Sequence, residues 1–118
     1  MGNINLFDNS DKAPRPRQDV KIEELQAVPY TDGHRVKAIV KVTAFIDRPN
    51  LILILRDQSG AVVSELNIIE TMHADMEFTI HIRKGSNPGD TFVLEAELFY
   101  EKRTPPQDQA STIFQMPS

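Results

Sequence analysis

The chain has 118 residues, of which 40% are hydrophobic and 25% are charged, and its formal net charge is −4. This length suits one domain, and the apolar fraction favours a folded chain over a disordered one. The chain has no cysteine, which excludes disulfides, thiolate nucleophiles and cysteine-ligated zinc. Because no apolar run is long enough to span a membrane and the first residues do not resemble a signal peptide, we expect a cytoplasmic protein with no membrane partner.

The first 18 residues are predicted to form a flexible tail, and residues 19–118 a single domain. The tail has no apolar period that a core could bury, and its X-Pro steps hold the chain extended. Its apolar residues Ile4, Leu6 and Phe7 leave a second interpretation open, in which the tail docks on the domain or on a neighbour.

The rest of the sequence predicts about seven β-strands. Apolar and polar side chains alternate with a period of two, which is typical of a strand with one buried and one solvated face. In the first strand this alternation slips at Glu23 and Glu24, which predicts a β-bulge. The predicted strands cover residues 20–28, 34–45, 51–55, 61–69, 75–83, 91–101 and 109–116.

Short turns join the predicted strands. Glycine, proline, asparagine and aspartate mark the boundaries, and the turn from Asp57 to Gly60 predicts a hairpin of the third and fourth strands. The link 70–74 has room for one helical turn, and no long helix is expected. Connections this short suit antiparallel pairing, because a parallel crossover needs about a dozen residues. The sequence therefore predicts an all-β, antiparallel β-sandwich.

The number and spacing of these strands resemble those of immunoglobulin-like and fibronectin type III domains. The resemblance covers residues 19–116 and implies that the third strand neighbours the sixth and the second neighbours the fifth. The chain departs from these families because it has no cysteine pair and no tryptophan, and Phe92 stands where a tyrosine corner would fall. The resemblance therefore implies a topology and no functional residue. The residues predicted to be almost fully buried are Val40, Phe78, Ile80, Leu94 and Leu98.

One cluster of residues in the sequence could carry chemistry. Glu70, His73 and Asp75 could together ligate a divalent metal or act in acid–base catalysis. Their spacing matches no known metal motif, and a polar connecting turn explains the same residues. We therefore predict no catalytic residue, no metal and no cofactor, and keep a metal-binding or hydrolytic domain as the alternative function.

The distribution of charge disfavours nucleic acid as a partner. Binding to phosphate requires clustered lysine and arginine, whereas this chain carries net negative charge. Lys37 and Lys41 share the solvated side of the second strand, and we expect them to pair with Glu77 on the fifth strand.

The third strand predicts an interaction surface, because residues 51–55 are apolar on both faces. If the three leucines face the core, Ile52 and Ile54 point outward beside Val93 and Phe99 of the sixth strand. Exposed apolar area of this kind usually marks a binding surface. We expect a non-enzymatic protein-interaction module that uses these four residues to bind a protein, in the simplest case a second copy as a homodimer.

Overall fold

Seven antiparallel strands form two packed sheets in the computed structural model, which describes residues 13–83 and 86–117. One sheet has three strands in the order β1-β2-β5, and the other has four in the order β4-β3-β6-β7. This architecture confirms the predicted immunoglobulin-like and fibronectin type III-like sandwich. The strands are β1 (Ile22–Pro29), β2 (Arg35–Val42), β3 (Asn50–Asp57), β4 (Val62–Ile68), β5 (Asp75–His81), β6 (Thr91–Phe99) and β7 (Asp108–Gln115).

The predicted irregularities of the strands are where the sequence placed them. The β1–β2 register shifts between Ile22 and Glu24, which confirms the bulge. The β3–β4 hairpin closes at Gly60, which has a φ of 89° that glycine adopts without steric cost. The link 69–74 does not form a helical turn. Within the described residues, the helical segment lies before β1 and is a short 3₁₀ helix, Arg17–Asp19.

Inward-facing side chains from both sheets build one hydrophobic core. Val40, Leu94 and Leu98 have no exposed surface, and Ile80 is also buried, as predicted. Phe78 packs against the core but is only partly buried, so its predicted full burial is wrong. Phe78 lies towards the start of β5, an edge strand with a neighbour on one side only, and the inward side chains of this strand become fully buried only from Ile80 onward.

Phe92 is a core residue at the start of β6. Its ring is buried and stacks on Phe114 of β7, with a centroid separation of 5.8 Å. Aromatic pairs at this distance stabilise a core beyond the area that they bury. Phe92 therefore takes part in packing between neighbouring strands of the four-stranded sheet.

The segment before β1 packs against the sandwich. Arg15 forms a parallel bridge with Phe45. The guanidinium of Arg17 is ion-paired with Asp47 and Glu101 and lies 4.8 Å from the centre of the Tyr100 ring. The predicted domain boundary after residue 18 falls within the 3₁₀ helix.

The flexible tail stays a prediction, since residues 1–12, with Ile4, Leu6 and Phe7, lie outside the described residues. In the part of the chain that the structure describes, no helix is long and apolar enough to cross a membrane.

Candidate interaction surface

The third strand sends its leucines and isoleucines to opposite faces, as the parity predicted. Leu51, Leu53 and Leu55 belong to the core between the sheets. Ile52 and Ile54 occupy the alternate positions and therefore face outward. On that face, Ile52 lies between Asn67 of β4 and Glu97 of β6, and Ile54 lies between Glu65 and Glu95.

The two outward isoleucines are covered by polar side chains of the same chain. Only 5% of Ile52 and 3% of Ile54 is exposed. Two ion pairs lie beside them: Arg56 Nε donates to Glu95 Oε1 and Arg103 Nε donates to Glu97 Oε1, each at 3.0 Å. The aliphatic stems of such long side chains exclude water from neighbouring apolar groups while their charged ends stay solvated.

Arg103 reaches this face from the loop between β6 and β7. The hydrogen bond to Glu97 is the main cause that raises the pKa of Arg103, and the negative charge of Glu65 raises it further. Glu97 and Glu65 lie on the strands at either side of β3. Arg103 therefore pairs with the residue that lies opposite Ile52 on β6.

The exposed apolar patch expected around the isoleucines takes a different form. Ile52 and Ile54 face outward but are buried, while Val93 and Phe99 are half-buried. The expectation of four exposed apolar side chains is wrong for the two isoleucines. Strand parity predicts the face that a side chain takes, but it does not account for the long polar side chains beside it on the neighbouring strands. Their role in an interface stays a prediction.

A second set of apolar side chains crosses the same face one row further along. Arg56 pairs with Val62 on one side and with Val93 on the other, and Val93 pairs with Ile113. Val62 is 50% exposed and Ile113 is 71% exposed. Val62, Val93 and Ile113 therefore form an apolar row that Arg56 alone interrupts.

Sequence reasoning missed Val62 and Ile113 as surface residues. Ile113 stands in a strand whose outward positions 109, 111 and 115 are polar. That alternation could have shown that it faces water. Val62 follows a shift in the β3–β4 register between Leu55 and Arg56, which reverses the parity that the sequence suggests.

Glu70, His73 and Asp75 are exposed residues of the link before β5 and of its first position. The main-chain N–H of Glu70 donates to Asn50 Oδ1, and that of His73 donates to Thr71 Oγ1. Among the described residues, no group of three histidine, aspartate or glutamate side chains is arranged to hold a metal ion. The structure therefore does not bring the three residues into one ligand set.

The solvated side of the three-stranded sheet carries ion pairs across its strands. Lys37 Nζ lies 3.7 Å from Glu77 of β5, as expected. Lys41 pairs with Glu24 of β1 at 3.8 Å instead of with Glu77. Its nearest position on β5 is Asp75, two residues from Glu77, so the register explains the difference.

Comparisons with known proteins give a fold and no family. No protein-family model matches the sequence, and no curated protein matches it. Among solved structures, the chain is similar to the β-glucuronidase of Bifidobacterium dentium complexed with coumarin-3-O-glucuronide, with a TM-score of 0.64 and 18% identity. The match covers 83% of this chain and 17% of that chain. The chain therefore spans a small part of that enzyme's length.

Two further structures share the fold. The FMN-binding β-glucuronidase from Facaelibacterium prausnitzii L2-6 has a TM-score of 0.60 and 13% identity, over 83% of this chain and 17% of that chain. The sensor domain of the anti-sigma factor RsgI4 in Pseudobacteroides cellulosolvens has a TM-score of 0.51 and 15% identity, over 85% of this chain and 94% of that domain. At these identities the likeness shows the sandwich fold alone.

Proposed function

We propose that the chain is a non-enzymatic protein-interaction module that self-associates as a homodimer through its four-stranded sheet. The observation that carries the proposal is the apolar row of Val62, Val93 and Ile113 on the outward face of that sheet. Val93 and Ile113 are direct neighbours on β6 and β7, whereas Val62 lies beyond Arg56. Contiguous apolar surface of this kind usually marks a contact, whereas single exposed apolar residues are normal.

The residues singled out in the sequence belong to the same proposed surface. Ile52 and Ile54 form its packed floor, and Val93 and Phe99 are half-buried around them. A second copy that packed against β7 would cover Ile113, which is the most exposed of these apolar side chains. Full burial of such a side chain contributes about 1.5–3 kcal/mol before the entropy of association is subtracted.

The comparisons support a module more than a complete enzyme. The chain matches about a sixth of the length of two glucuronidases, and it matches nearly all of one sensor domain. A sandwich of this fold therefore occurs as one part of longer proteins, both in the glucuronidases and in the anti-sigma factor. The proposal does not transfer the activity of the glucuronidases or of the sensor domain to this chain.

Light scattering after size exclusion tests the proposal, at loading concentrations of ~10 µM and ~1 mM. We expect the mass to rise with concentration from 13.4 kDa towards twice that value. Ile113→Lys should abolish the rise, because it places a charge on the proposed contact surface. Ile39→Lys is the matched control, since Ile39 is a half-buried residue of β2 in the other sheet, and it should dimerise like the wild type. A wild-type protein that stays monomeric at ~1 mM would overturn the proposal.

A further inference from the structure

We infer that two copies meet along the free edge of β7, so that their four-stranded sheets join into one continuous sheet. This inference rests on the proposed self-association and specifies its geometry. Within the described residues, β7 pairs with β6 on one side only. No described strand forms a ladder with its other edge, although β1 of the other sheet approaches that edge at Ile22, whose N–H donates to Asp108 Oδ2. The main-chain groups further along β7 are the ones that another strand can use.

The edge of β7 is the one without the usual protection against pairing. Residues 109–117 contain no charged side chain, and the strand Asp108–Gln115 contains no proline. An uncharged, regular edge strand is a template for another strand. The polar residue that begins β7, Asp108, is already engaged, because its Oδ2 accepts the main-chain N–H of Ile22 at 2.8 Å.

The other three edge strands each carry a feature that discourages pairing. β1 has a bulge next to Glu23 and ends at Pro29. β4 carries Glu65 at its centre, and β5 carries Asp75 and Glu77. Charges, bulges and prolines of this kind are how natural sheets block edge-to-edge contact. Of the four edges, β7 is therefore the one built to accept a strand.

The hydrogen bonds of β7 show which main-chain groups face the free edge. The N–H of Met116 donates to Asp90 O, and Met116 O accepts the N–H of Gly89, so both groups of this residue point towards β6. Because these directions alternate along an antiparallel strand, the groups of residues 109, 111, 113 and 115 point away from β6. The same four residues have exposed side chains.

A two-fold pairing of β7 with its copy places compatible side chains together. Antiparallel pairing centred on Thr112 sets Ser111 opposite Ile113 of the second copy, and Gln109 opposite Gln115. The two Ile113 side chains then become diagonal neighbours, within reach of each other across the axis. This contact covers the most exposed member of the apolar row.

Charge also favours the edge over a face-to-face contact. The outward face carries Glu65, Glu95 and Glu97 against Arg56 and Arg103, so stacking two such faces brings an excess of like charge together. In the joined sheet, β6 and its copy are three strand spacings apart, about 14 Å. That distance exceeds the screening length of about 8 Å at physiological salt.

Amide hydrogen exchange at ~10 µM and ~1 mM tests the inference directly. We expect the amides of residues 109, 111, 113 and 115 to exchange about tenfold more slowly once nine-tenths of the protein is dimeric. Even-numbered amides of β7 are already protected by β6 and should change little. Val62→Lys, which alters the same row at the opposite edge, should leave the dimer intact, whereas Ile113→Lys should abolish it.

The outcomes separate this inference from the proposed function. A dimer that shows no slowing at the four odd-numbered amides, or that Val62→Lys disrupts as strongly as Ile113→Lys, overturns pairing along β7 and leaves self-association standing. A monomer at every concentration overturns both. Circular dichroism of Val62→Lys and Ile113→Lys must match the wild type, and both residues are exposed enough for the fold to accept lysine.

Discussion

Phe78 and Leu94 show how the place of a strand in its sheet controls the burial of inward-facing residues. Both follow the apolar parity of their strands, and both pack into the core. Leu94 has no exposed surface because β6 has a neighbour on each side, whereas Phe78 keeps contact with water on edge strand β5. Parity in the sequence shows which face a side chain takes. How completely it is buried depends on strand order and on the position along the strand, since Ile80 of the same edge strand is buried.

Leu94→Ala is therefore expected to reduce the free energy of unfolding by about 2–5 kcal/mol, through lost transfer energy and a residual cavity. Phe78→Ala should cost less than the usual range of about 3–5 kcal/mol for a buried phenylalanine, because part of its ring is already solvated. Urea unfolding of the two variants measures both values. A loss for Phe78→Ala at the top of the range for a buried phenylalanine, about 5 kcal/mol, would contradict the partial burial of its ring.

The β3–β4 hairpin shows how one turn residue organises an element. Asp57 Oδ1 accepts hydrogen bonds from the hydroxyl and main-chain N–H of Ser59, at 2.6 and 2.9 Å, and from the N–H of Ala61 at 3.1 Å. The hydroxyl of Ser59 is the main cause that lowers the pKa of Asp57, and the main-chain groups add to it. The ionised carboxylate is thus the form that the folded turn favours.

We expect Asp57→Ala to lower the urea midpoint at neutral pH. Because the pKa of Asp57 is lower in the folded state, its contribution is complete above the unfolded value of about 3.9 and is lost as the pH falls through the folded pKa. The difference between Asp57→Ala and wild type should therefore shrink below about pH 4. Gln58→Ala, an exposed residue of the same turn, is the control and should behave like the wild type. A difference that stays constant down to pH 2 would show that the carboxylate charge does not stabilise the turn.

Local patterns predicted the elements of this fold well, because each depends on neighbouring residues. The bulge at Glu23 and Glu24 and the hairpin at Asp57 follow from parity and turn chemistry, which a sequence displays directly. The ion pair beside Ile52 could not be predicted, since Arg103 reaches Glu97 from the loop between β6 and β7. The same limit applies to the docking of Arg17 against Asp47 and Tyr100.

At the scale of the whole molecule, the outward faces of both sheets carry ion pairs, and they differ in the apolar side chains that they expose. The three-stranded sheet shows cross-strand ion pairs such as Lys37 with Glu77. The four-stranded sheet carries the apolar row of Val62, Val93 and Ile113 and ends at an uncharged edge. The free energy of association proposed here comes from that sheet alone.

Exposed Ile46, Ile69 and Met72 lie in loops outside the four-stranded sheet, so a contact there would be independent of the dimer.

Amide chemical shifts of the wild-type protein, recorded from ~10 µM to ~1 mM, test self-association through the four-stranded sheet most directly. The account predicts concentration-dependent shifts in β7 and in the adjacent outward positions of β6, with β1, β2 and β5 unchanged. Shifts concentrated on the three-stranded sheet, or none over the whole concentration range, would contradict it.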